Sequence, residues 1–397
     1  MHFTFIIKKL TITKIKNETK LLNDEKYIVS NMNSEYIEVN TKFIDEIIKH
    51  GGKDVKKCMQ CAECSVICPL SPDNNPFPRK EMMWAQWGLK DTLLKDPDIW
   101  LCHNCADCSK NCPRNAKPGS VLNSLREIVI EENSWPRFVA KGLSEKKYLP
   151  LFILFPVLFI ALLIYGLGLK MPADGAIYFS NFIPYIYIDV IGTTIGVIVV
   201  LIALFNLWRF WRSLTSKQKN KISFFTSLIF VLKDLIAHSW FKKCETNHIM
   251  YYAHLFTFYG FIFLIVATAT DAFESHFLGI QHLLIGSPGN IIGNVGAVVI
   301  LTGIIMIIYN HVSNKVPKEN TYFDWLFTFL LFFTVITGVT MEILRLDGSV
   351  FAYWTYLVHL TLIFMLIVYA PYSKFAHLIY RTIAMIYTRS IGRVPTI

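Results

Sequence analysis

The sequence predicts an all-α protein in which a small helical domain holding two metal clusters precedes a bundle of six transmembrane helices. Two observations carry this prediction. Eight cysteines repeat one cluster-binding pattern in the first third of the chain, and six long uncharged apolar segments follow from Tyr148 onward.

Composition separates the two parts of the chain. Hydrophobic residues make up 53% of the 397 residues, which is high for a soluble protein, and they concentrate after residue 147. We expect three regions: a loosely ordered extension at 1–40, in which Met32 is an alternative start, a cluster domain at 41–140 and a membrane domain at 141–397. The net charge of +10 does not indicate nucleic-acid binding, because the lysines and arginines gather at the ends of apolar segments.

The cysteines follow the pattern C-x2-C-x2-C-x3-C-P twice. The first copy contains Cys58, Cys61, Cys64 and Cys68, and the second contains Cys102, Cys105, Cys108 and Cys112. In this ferredoxin pattern the first three thiolates surround one [4Fe-4S] cluster, while the fourth reaches the neighbouring cluster. We therefore predict that Cys112 completes the first cluster and that Cys68 completes the second.

Zinc and disulfides are the alternatives to iron–sulfur clusters. Zinc sites normally use two separated C-x2-C pairs, and disulfides are disfavoured in a reducing cytoplasm. The repeat therefore indicates iron–sulfur clusters. Cys244 lies outside both copies and is interpreted as a plain thiol. Between the copies, the apolar spacing predicts one helix over 79–94, so we expect a mostly helical ferredoxin domain.

Six segments contain no Asp, Glu, Lys or Arg and are long enough, or nearly so, to cross a bilayer. They are 148–169, 190–208, 249–270, 291–309, 325–341 and 348–370. Their flanks carry 18 lysines and arginines on the side of the cluster domain and only Lys170 and Arg345 on the other. This bias predicts a multi-pass protein of the bacterial or archaeal cytoplasmic membrane, with the cluster domain and the C-terminus in the cytoplasm. Charges interrupt 222–241, which predicts an interfacial helix there.

Histidines in membrane spans are costly without a partner and therefore indicate a function. His254, near the cytoplasmic start of the third span, and His377, after the sixth, are expected at a similar depth. We predict that they are the axial ligands of one haem b, with hydrogen-bonded structural histidines as the alternative. His359 and His377 are 18 residues apart, which in one continuous helix places them on one face and about 27 Å apart. This spacing allows a second haem at His359, with His276 as its candidate partner and His282 as a weaker one.

Several stretches resemble known families. Residues 51–69, 71–91, 96–114 and 116–119, which contain both cysteine repeats, are similar to the C subunit of heterodisulfide reductase. Their fusion to a cytochrome b resembles the C subunit of the quinone-interacting membrane-bound oxidoreductase complex. Spans two to six are similar to the gamma subunit of respiratory nitrate reductase, whose final helix carries two haem-ligating histidines 18 residues apart. Its earlier ligand helix carries two histidines ten residues apart, whereas here His254 is followed by Leu264 at the second position.

The resemblance implies a function and partners. It implies an electron-transfer subunit of a quinone-interacting oxidoreductase, connecting menaquinone through haem b and two [4Fe-4S] clusters to two soluble flavin- and iron–sulfur-containing subunits. It also implies adenylyl-sulfate reductase of dissimilatory sulfur metabolism as the electron partner. The sequence shows no acid–base triad or nucleophile, so we assign no catalytic residue. The alternatives are a membrane subunit of a heterodisulfide-reductase-type complex with another electron partner, and a non-redox membrane anchor that binds zinc.

Overall fold

The computed structural model describes residues 39–72, 75–172, 176–215, 222–238, 248–279, 286–313 and 320–393. Within these ranges every regular element is a helix, which confirms the predicted all-α class. Residues 1–38 of the predicted extension, including Met32, and the side chains of Cys244 and His282 lie outside the described residues.

Mostly short helices before, between and after the cysteine loops make up the N-terminal domain. They are α1 (Phe43–Lys49), α2 (Glu63–Val66), α3 (Arg79–Gln86), α4 (Lys90–Leu94), α5 (Asp98–Leu101), α6 (Asp107–Lys110), α7 (Pro118–Asn133) and α8 (Arg137–Ser144). The helix α7 is buried over 118–131, so it forms the centre of this domain. It begins with Pro118, whose missing N–H costs nothing in the first turn of a helix.

The prediction of one helix over 79–94 is wrong, because the chain turns between α3 and α4 at Gly88. This glycine has φ of 68°, a left-handed conformation that glycine adopts without steric cost. Its carbonyl accepts a hydrogen bond of 2.9 Å from the Asn40 amide, and a Cβ at Gly88 would lie 2.5 Å from the Asn40 carbonyl oxygen. The apolar spacing continues through this turn, so the pattern alone does not reveal it.

The remaining helices form the apolar bundle. They are α9 (Leu149–Gly166), α10 (Phe179–Phe182), α11 (Tyr185–Thr215), α12 (Phe224–Ala237), α13 (His248–Phe277), α14 (Pro288–Val312), α15 (Tyr322–Leu346), α16 (Phe351–Val368) and α17 (Lys374–Ser390). In the described part of the chain, six helices are long and apolar enough to cross a membrane, as predicted. They are α9 with the preceding turn, α11, α13, α14, α15 and α16. The described part of 222–241 forms α12, whose interfacial position stays a prediction.

The helices α13 and α14 pack through glycines. A Cβ at Gly260 would lie 2.5 Å from the backbone nitrogen of Ile300, and a Cβ at Gly303 would lie 2.5 Å from Oγ1 of Thr257. Small residues at such positions let two helix backbones approach closely in lipid, where the hydrophobic effect does not drive their association.

His359 and His377 do not lie on one helix, so the separation of about 27 Å, which holds only for a continuous helix, does not apply. His359 lies in α16, which ends at Val368, and His377 lies in α17, which begins after a 3-10 turn over Ala370–Tyr372. Pro371 in this turn lacks an N–H and disfavours a helical conformation in the residue before it. The Ser373 hydroxyl then caps α17 by accepting a hydrogen bond from the Phe375 amide at 3.3 Å.

The helix α17 connects the bundle to the N-terminal domain. The Tyr380 ring stacks on the Trp100 ring of α5 with centroids 5.3 Å apart. Further along, Arg393 forms an ion pair with Asp98, also of α5. The helix therefore holds the two parts of the molecule together directly below the second cysteine repeat.

Candidate functional site

The two cysteine repeats have the same backbone conformation. Gln60 and Ala62 of the first repeat have φ of 63° and 73°, and the equivalent Asn104 and Ala106 of the second have 56° and 71°. Side chains other than glycine rarely adopt this left-handed region, and they keep it where the surrounding structure imposes it. The short helices α2 and α6 follow at the same position in each repeat. The chain therefore builds one cysteine loop twice.

The thiols form two groups of four. Cys58 and Cys64 interact electrostatically with one another, with Cys61 and with Cys112, and all four line one pocket. We call these four the first cysteine group. In the second cysteine group, Cys68 and Cys108 interact with one another and with Cys102 and Cys105. The fourth cysteine of each repeat thus lies with the other repeat, which is the exchange that the pattern predicts.

Both groups fit an iron–sulfur cluster. Burial raises the pKa of the Cys64 and Cys68 thiols to about 12, so these side chains favour the neutral form unless a cation binds. Iron would supply the positive charge that keeps four neighbouring cysteines as thiolates. Backbone amides also donate to the sulfurs: Asn104 N lies 3.2 Å from Cys102 Sγ, and Ala116 N lies 3.3 Å from Cys112 Sγ. Such hydrogen bonds tune the potential of a bound cluster.

Two buried arginines hold the second cysteine group against the bundle. Arg126 of α7 donates to the Cys102 carbonyl at 2.6 Å, and Arg381 of α17 donates to the same oxygen at 3.1 Å. Arg381 also donates to Nε2 of His103 at 2.8 Å. Burial, with the two guanidinium charges, lowers the pKa of His103 well below its usual range, so the neutral ring accepts this bond. Sequence reasoning counted Arg381 only as a membrane-flanking charge and did not single out Arg126 or His103.

The structure brings His254 and His377 together at the junction of the two domains. The two rings interact electrostatically with one another, and both interact with His103. The ring centroid of His377 lies 5.6 Å from that of Trp100. Trp100 precedes Cys102 by two residues. The predicted haem ligands therefore lie beside the second cysteine group.

A further histidine, His238, sets the tautomer of His254. Nδ1 of His238 lies 3.2 Å from the Ile236 carbonyl, which can only accept, so this nitrogen carries the proton. In the neutral ring Nε2 of His238 is then an acceptor, and Nδ1 of His254 donates to it at 3.2 Å. The lone pair of His254 is thereby on Nε2. Metal-binding histidines commonly use their second nitrogen in this way, so His254 and His377 fit the axial positions of a haem.

His359 and His276 contact different residues. Nδ1 of His359 lies 3.0 Å from Oγ1 of Thr337 inside the bundle. His276 lies in the last turn of α13, is mostly exposed and has Nε2 3.3 Å from Asp189. A second haem between His359 and His276 stays a prediction.

Two family models match the chain in its two parts. Residues 54–116, which contain both cysteine repeats, match the 4Fe-4S dicluster domain. Residues 146–395 match the family described as citrate utilization protein B, abbreviated CitB, and this match covers more than half of the chain. The chain belongs to the citrate utilization protein B family. The CitB region of this protein includes all six apolar helices and α17, while the dicluster domain lies before it.

Known relatives of this CitB family member match at most 24% of its length. An iron-sulfur C subunit of CoB–CoM heterodisulfide reductase from Methanocaldococcus jannaschii is 33% identical over 105 residues, covering 24% of the chain and 56% of the relative. The C subunit of the H2:CoB-CoM heterodisulfide,ferredoxin reductase from Methanothermobacter marburgensis is 32% identical over 63 residues, covering 16% and 34%. The chain thus spans 56% or less of the length of these two relatives. No solved structure matches it.

These similarities confirm one part of the predicted resemblance. The cluster domain is similar to the C subunit of heterodisulfide reductase and contains a 4Fe-4S dicluster domain. The resemblance of the bundle to the gamma subunit of nitrate reductase stays a prediction.

Proposed function

We propose that this protein is a membrane-bound electron-transfer subunit that connects the menaquinone pool, through haem b and two [4Fe-4S] clusters, to soluble flavin- and iron–sulfur-containing subunits. The main support for this proposal is the order of the candidate centres in the molecule. The candidate centres follow one another from the bundle to the surface, with the histidines at the junction first, the second cysteine group next to them and the first cysteine group outermost.

The residues of α17 and α5 would connect the haem to the nearer cluster. His377 and Arg381 lie one turn apart on α17, so one would hold the haem while the other holds the Cys102 loop. The Trp100 ring lies against His377 and is fully buried, which excludes water from the space between the two sites. When bound, iron centres supply one-electron chemistry, which divides a two-electron reaction into single steps.

The first cysteine group lies where a soluble partner can reach it. Cys61 is exposed, as are the neighbouring apolar side chains of Met59 and Val66, which are 57% and 81% accessible. Exposed apolar patches on soluble surfaces mark interaction sites. This surface therefore supports the docking of a soluble partner next to the outermost cluster.

Two electron partners are candidates. The resemblance to the quinone-interacting oxidoreductase implies adenylyl-sulfate reductase in dissimilatory sulfur metabolism. The similarity to the C subunits of two heterodisulfide reductases favours a complex of that type with another electron partner. Cross-linking in native membranes, followed by purification and identification of the attached proteins, distinguishes them. Recovery of no flavin-containing protein under these conditions would contradict both.

Spectroscopy of the purified full chain tests the redox centres. We expect b-type haem bands in the reduced-minus-oxidised spectrum, two [4Fe-4S] clusters by electron paramagnetic resonance, and nine irons by metal analysis, eight from the clusters and one from the haem. His254→Ala and His377→Ala should each lose the haem bands and keep the cluster signals, while His248→Ala on the exposed start of α13 keeps both. Zinc without iron or haem would establish the anchor alternative and end the proposal. Full haem content in either alanine variant would refute the ligand pair.

A further inference from the structure

Two buried guanidinium groups meet at one carbonyl oxygen of the second cysteine repeat. That oxygen belongs to Cys102, and it accepts hydrogen bonds from Arg126 of α7 at 2.6 Å and from Arg381 of α17 at 3.1 Å. The two arginine residues are only 5% and 8% exposed. Since this oxygen and the Sγ atom belong to the same small residue, both positive charges lie close to a sulfur of the second cysteine group.

A buried positive charge is costly unless an opposite charge lies near it. Within the described part of the chain Arg126 forms no ion pair, and its hydrogen bonds go to the neutral carbonyls of Ile99, at 2.7 Å, and of Cys102. The second cysteine group can supply the opposite charge, because its thiolates more than balance the charge of an iron–sulfur core and a cluster bound there is an anion. The buried arginines therefore fit an anion at the second cysteine group.

The first cysteine repeat offers a matched comparison. Arg79 donates from Nε to the Gln60 carbonyl at 3.1 Å, and its charge acts on the Cys58 thiol. Here too an arginine binds a carbonyl of the cysteine loop, but Arg79 is exposed. Water screens an exposed charge far more strongly than a buried one. The two repeats thus differ in the burial of the charge rather than in the kind of contact.

We infer that Arg126 and Arg381 set the reduction potential of the second cluster, as buried positive charges that favour its reduced form, in addition to holding the Cys102 loop. The inference rests on the proposed function, which places a [4Fe-4S] cluster at the second cysteine group. Arg381 belongs to α17, the helix that also carries His377. The membrane part of the chain would therefore tune a cluster that only cysteines of the N-terminal domain hold.

The charge balance gives the direction of the effect. One-electron reduction of the cluster forms and breaks no bond and adds one negative charge, with the electron arriving from the haem side or from an added reductant. Cys102 and Cys108 are each 8% exposed, and a low-dielectric interior opposes the extra negative charge. The two guanidinium charges offset this penalty, since the attraction between opposite charges is strongest where water is excluded.

A purely structural role is the alternative. The two arginines would then matter only because their hydrogen bonds tie α7 and α17 to the Cys102 loop. A structural link is lost when the hydrogen bonds are lost, whereas an electrostatic effect follows the charge. The two roles therefore separate in variants that keep one property without the other.

Redox titration of the full chain in detergent, followed by electron paramagnetic resonance, tests the inference. Dithionite with mediator dyes reduces the protein at fixed potentials and gives one midpoint potential for each cluster. Arg126→Gln and Arg381→Gln each replace a guanidinium group with a neutral amide that can still donate to the Cys102 carbonyl. In each variant the equilibrium constant for reduction of one cluster should fall at least about tenfold, a shift of about 59 mV to lower potential for one electron. Both variants should affect the same cluster and leave the other unchanged.

Two further variants separate charge from structure. Arg381→Lys keeps the positive charge with a different hydrogen-bonding geometry, so the equilibrium constant should stay within about threefold of the wild-type value. Arg79→Gln makes the same neutral replacement at the exposed arginine of the first repeat and should change neither equilibrium constant by more than about threefold. If Arg381→Gln does not retain both clusters, the pair Arg126→Gln and Arg126→Lys replaces it.

The outcomes distinguish this inference from the proposed function. A wild-type protein with no [4Fe-4S] signal after reduction would contradict the proposed function itself. Two clusters whose potentials are unchanged in both glutamine variants would overturn the tuning role and leave the proposed function standing. A potential that falls as far in Arg381→Lys as in Arg381→Gln would assign the effect to hydrogen-bond geometry, and it would also overturn the inference.

Discussion

His238 is not a candidate haem ligand itself, but it forms a hydrogen bond with His254, which is one. It ends α12 in a left-handed conformation with φ of 49°, which is uncommon for a residue other than glycine or asparagine. In this position its ring reaches both the Ile236 carbonyl and Nδ1 of His254. The conformation and the hydrogen bond together indicate that His238 positions His254.

Removal of the His238 ring should weaken haem binding without removing the ligand. We expect His238→Ala to lower haem affinity roughly 10- to 100-fold, because His254 loses the acceptor that orients it. His238→Gln supplies an amide oxygen that accepts the same hydrogen bond and should restore part of the affinity. Haem titration of the apoprotein, with the low-spin resonance signal as second readout, measures the effect. Equal affinity in the alanine variant and wild type would refute this role.

A buried acidic group lies beside the second cysteine repeat. Glu81, Asp96 and Asp98 place carboxylate oxygens within 4.8 Å of one another, and the Lys80 ammonium forms ion pairs with Asp96 and Asp98 and lies 3.2 Å from Oε1 of Glu81. Burial raises the pKa of Glu81 well above its usual range, and the charge of Asp96 raises it further. The neutral form of Glu81 is therefore favoured in the folded protein.

This shift makes stability depend on pH in a definite direction. A carboxyl whose folded pKa is raised contributes stability that is present below its unfolded pKa and is lost as pH rises to the folded pKa. Glu81→Gln keeps the shape without the charge, so its advantage over wild type should grow with pH by up to about 1.4 kcal/mol per unit. Asp91→Asn, at an exposed position, is the control. Thermal unfolding between pH 5 and 9 tests this, and parallel pH profiles for Glu81→Gln and wild type would contradict it.

At the scale of the elements, helix contact depends on single glycines. The face of α13 at Gly260 meets the backbone of α14 at Ile300, whereas Gly293 of α14 meets only the side chain of Ala267 at 3.6 Å. Both glycines are helical, so alanine improves intrinsic helix propensity equally at each. A comparison of alanine substitutions at the two positions therefore separates the effect of the close helix contact at Gly260 from the effect of helix propensity.

Alanine at these two positions should have opposite effects on stability. Gly260→Ala forces α13 and α14 apart and should cost about 1–3 kcal/mol, which lowers the melting temperature by several degrees. Gly293→Ala should be neutral or stabilising by up to about 1 kcal/mol. Thermal melting of the purified protein in detergent compares them. Equal melting temperatures would show that the helix pair is not held by this contact.

At the scale of the whole molecule, the junction determines how the parts cooperate. One helix, α17, carries both His377, which belongs to the candidate haem site, and Arg381, which donates to the carbonyl of Cys102. A change in this helix is therefore expected to affect the candidate haem site and the second cysteine group together.

The membrane orientation predicted from the charge bias can be measured directly. In a Cys244→Ser background, Lys95→Cys places a thiol on the exposed surface of the N-terminal domain, and Asp347→Cys places one in the exposed turn between α15 and α16. A membrane-impermeant maleimide added to intact spheroplasts should label Asp347→Cys at once and Lys95→Cys only after permeabilisation. The reverse labelling would invert the predicted topology.

The helical class, the six spans and the two cysteine groups were predictable from the order of the amino acids. These features follow from local rules, because apolar length predicts a span and a repeated cysteine spacing predicts a cluster loop. Local rules failed where a single residue redirected the chain, at Gly88 and at Pro371, since apolar spacing continues across both breaks.

The contacts between distant groups became visible only in the folded chain. His238 lies against His254, Arg381 against Cys102, and Thr321 between Asp324 and Glu127. These partners come from helices far apart in the chain, and no periodic pattern encodes such contacts because they depend on how complete helices pack. The candidate cofactor ligands could therefore be predicted from the sequence, whereas the residues that orient them could be identified only from the tertiary structure.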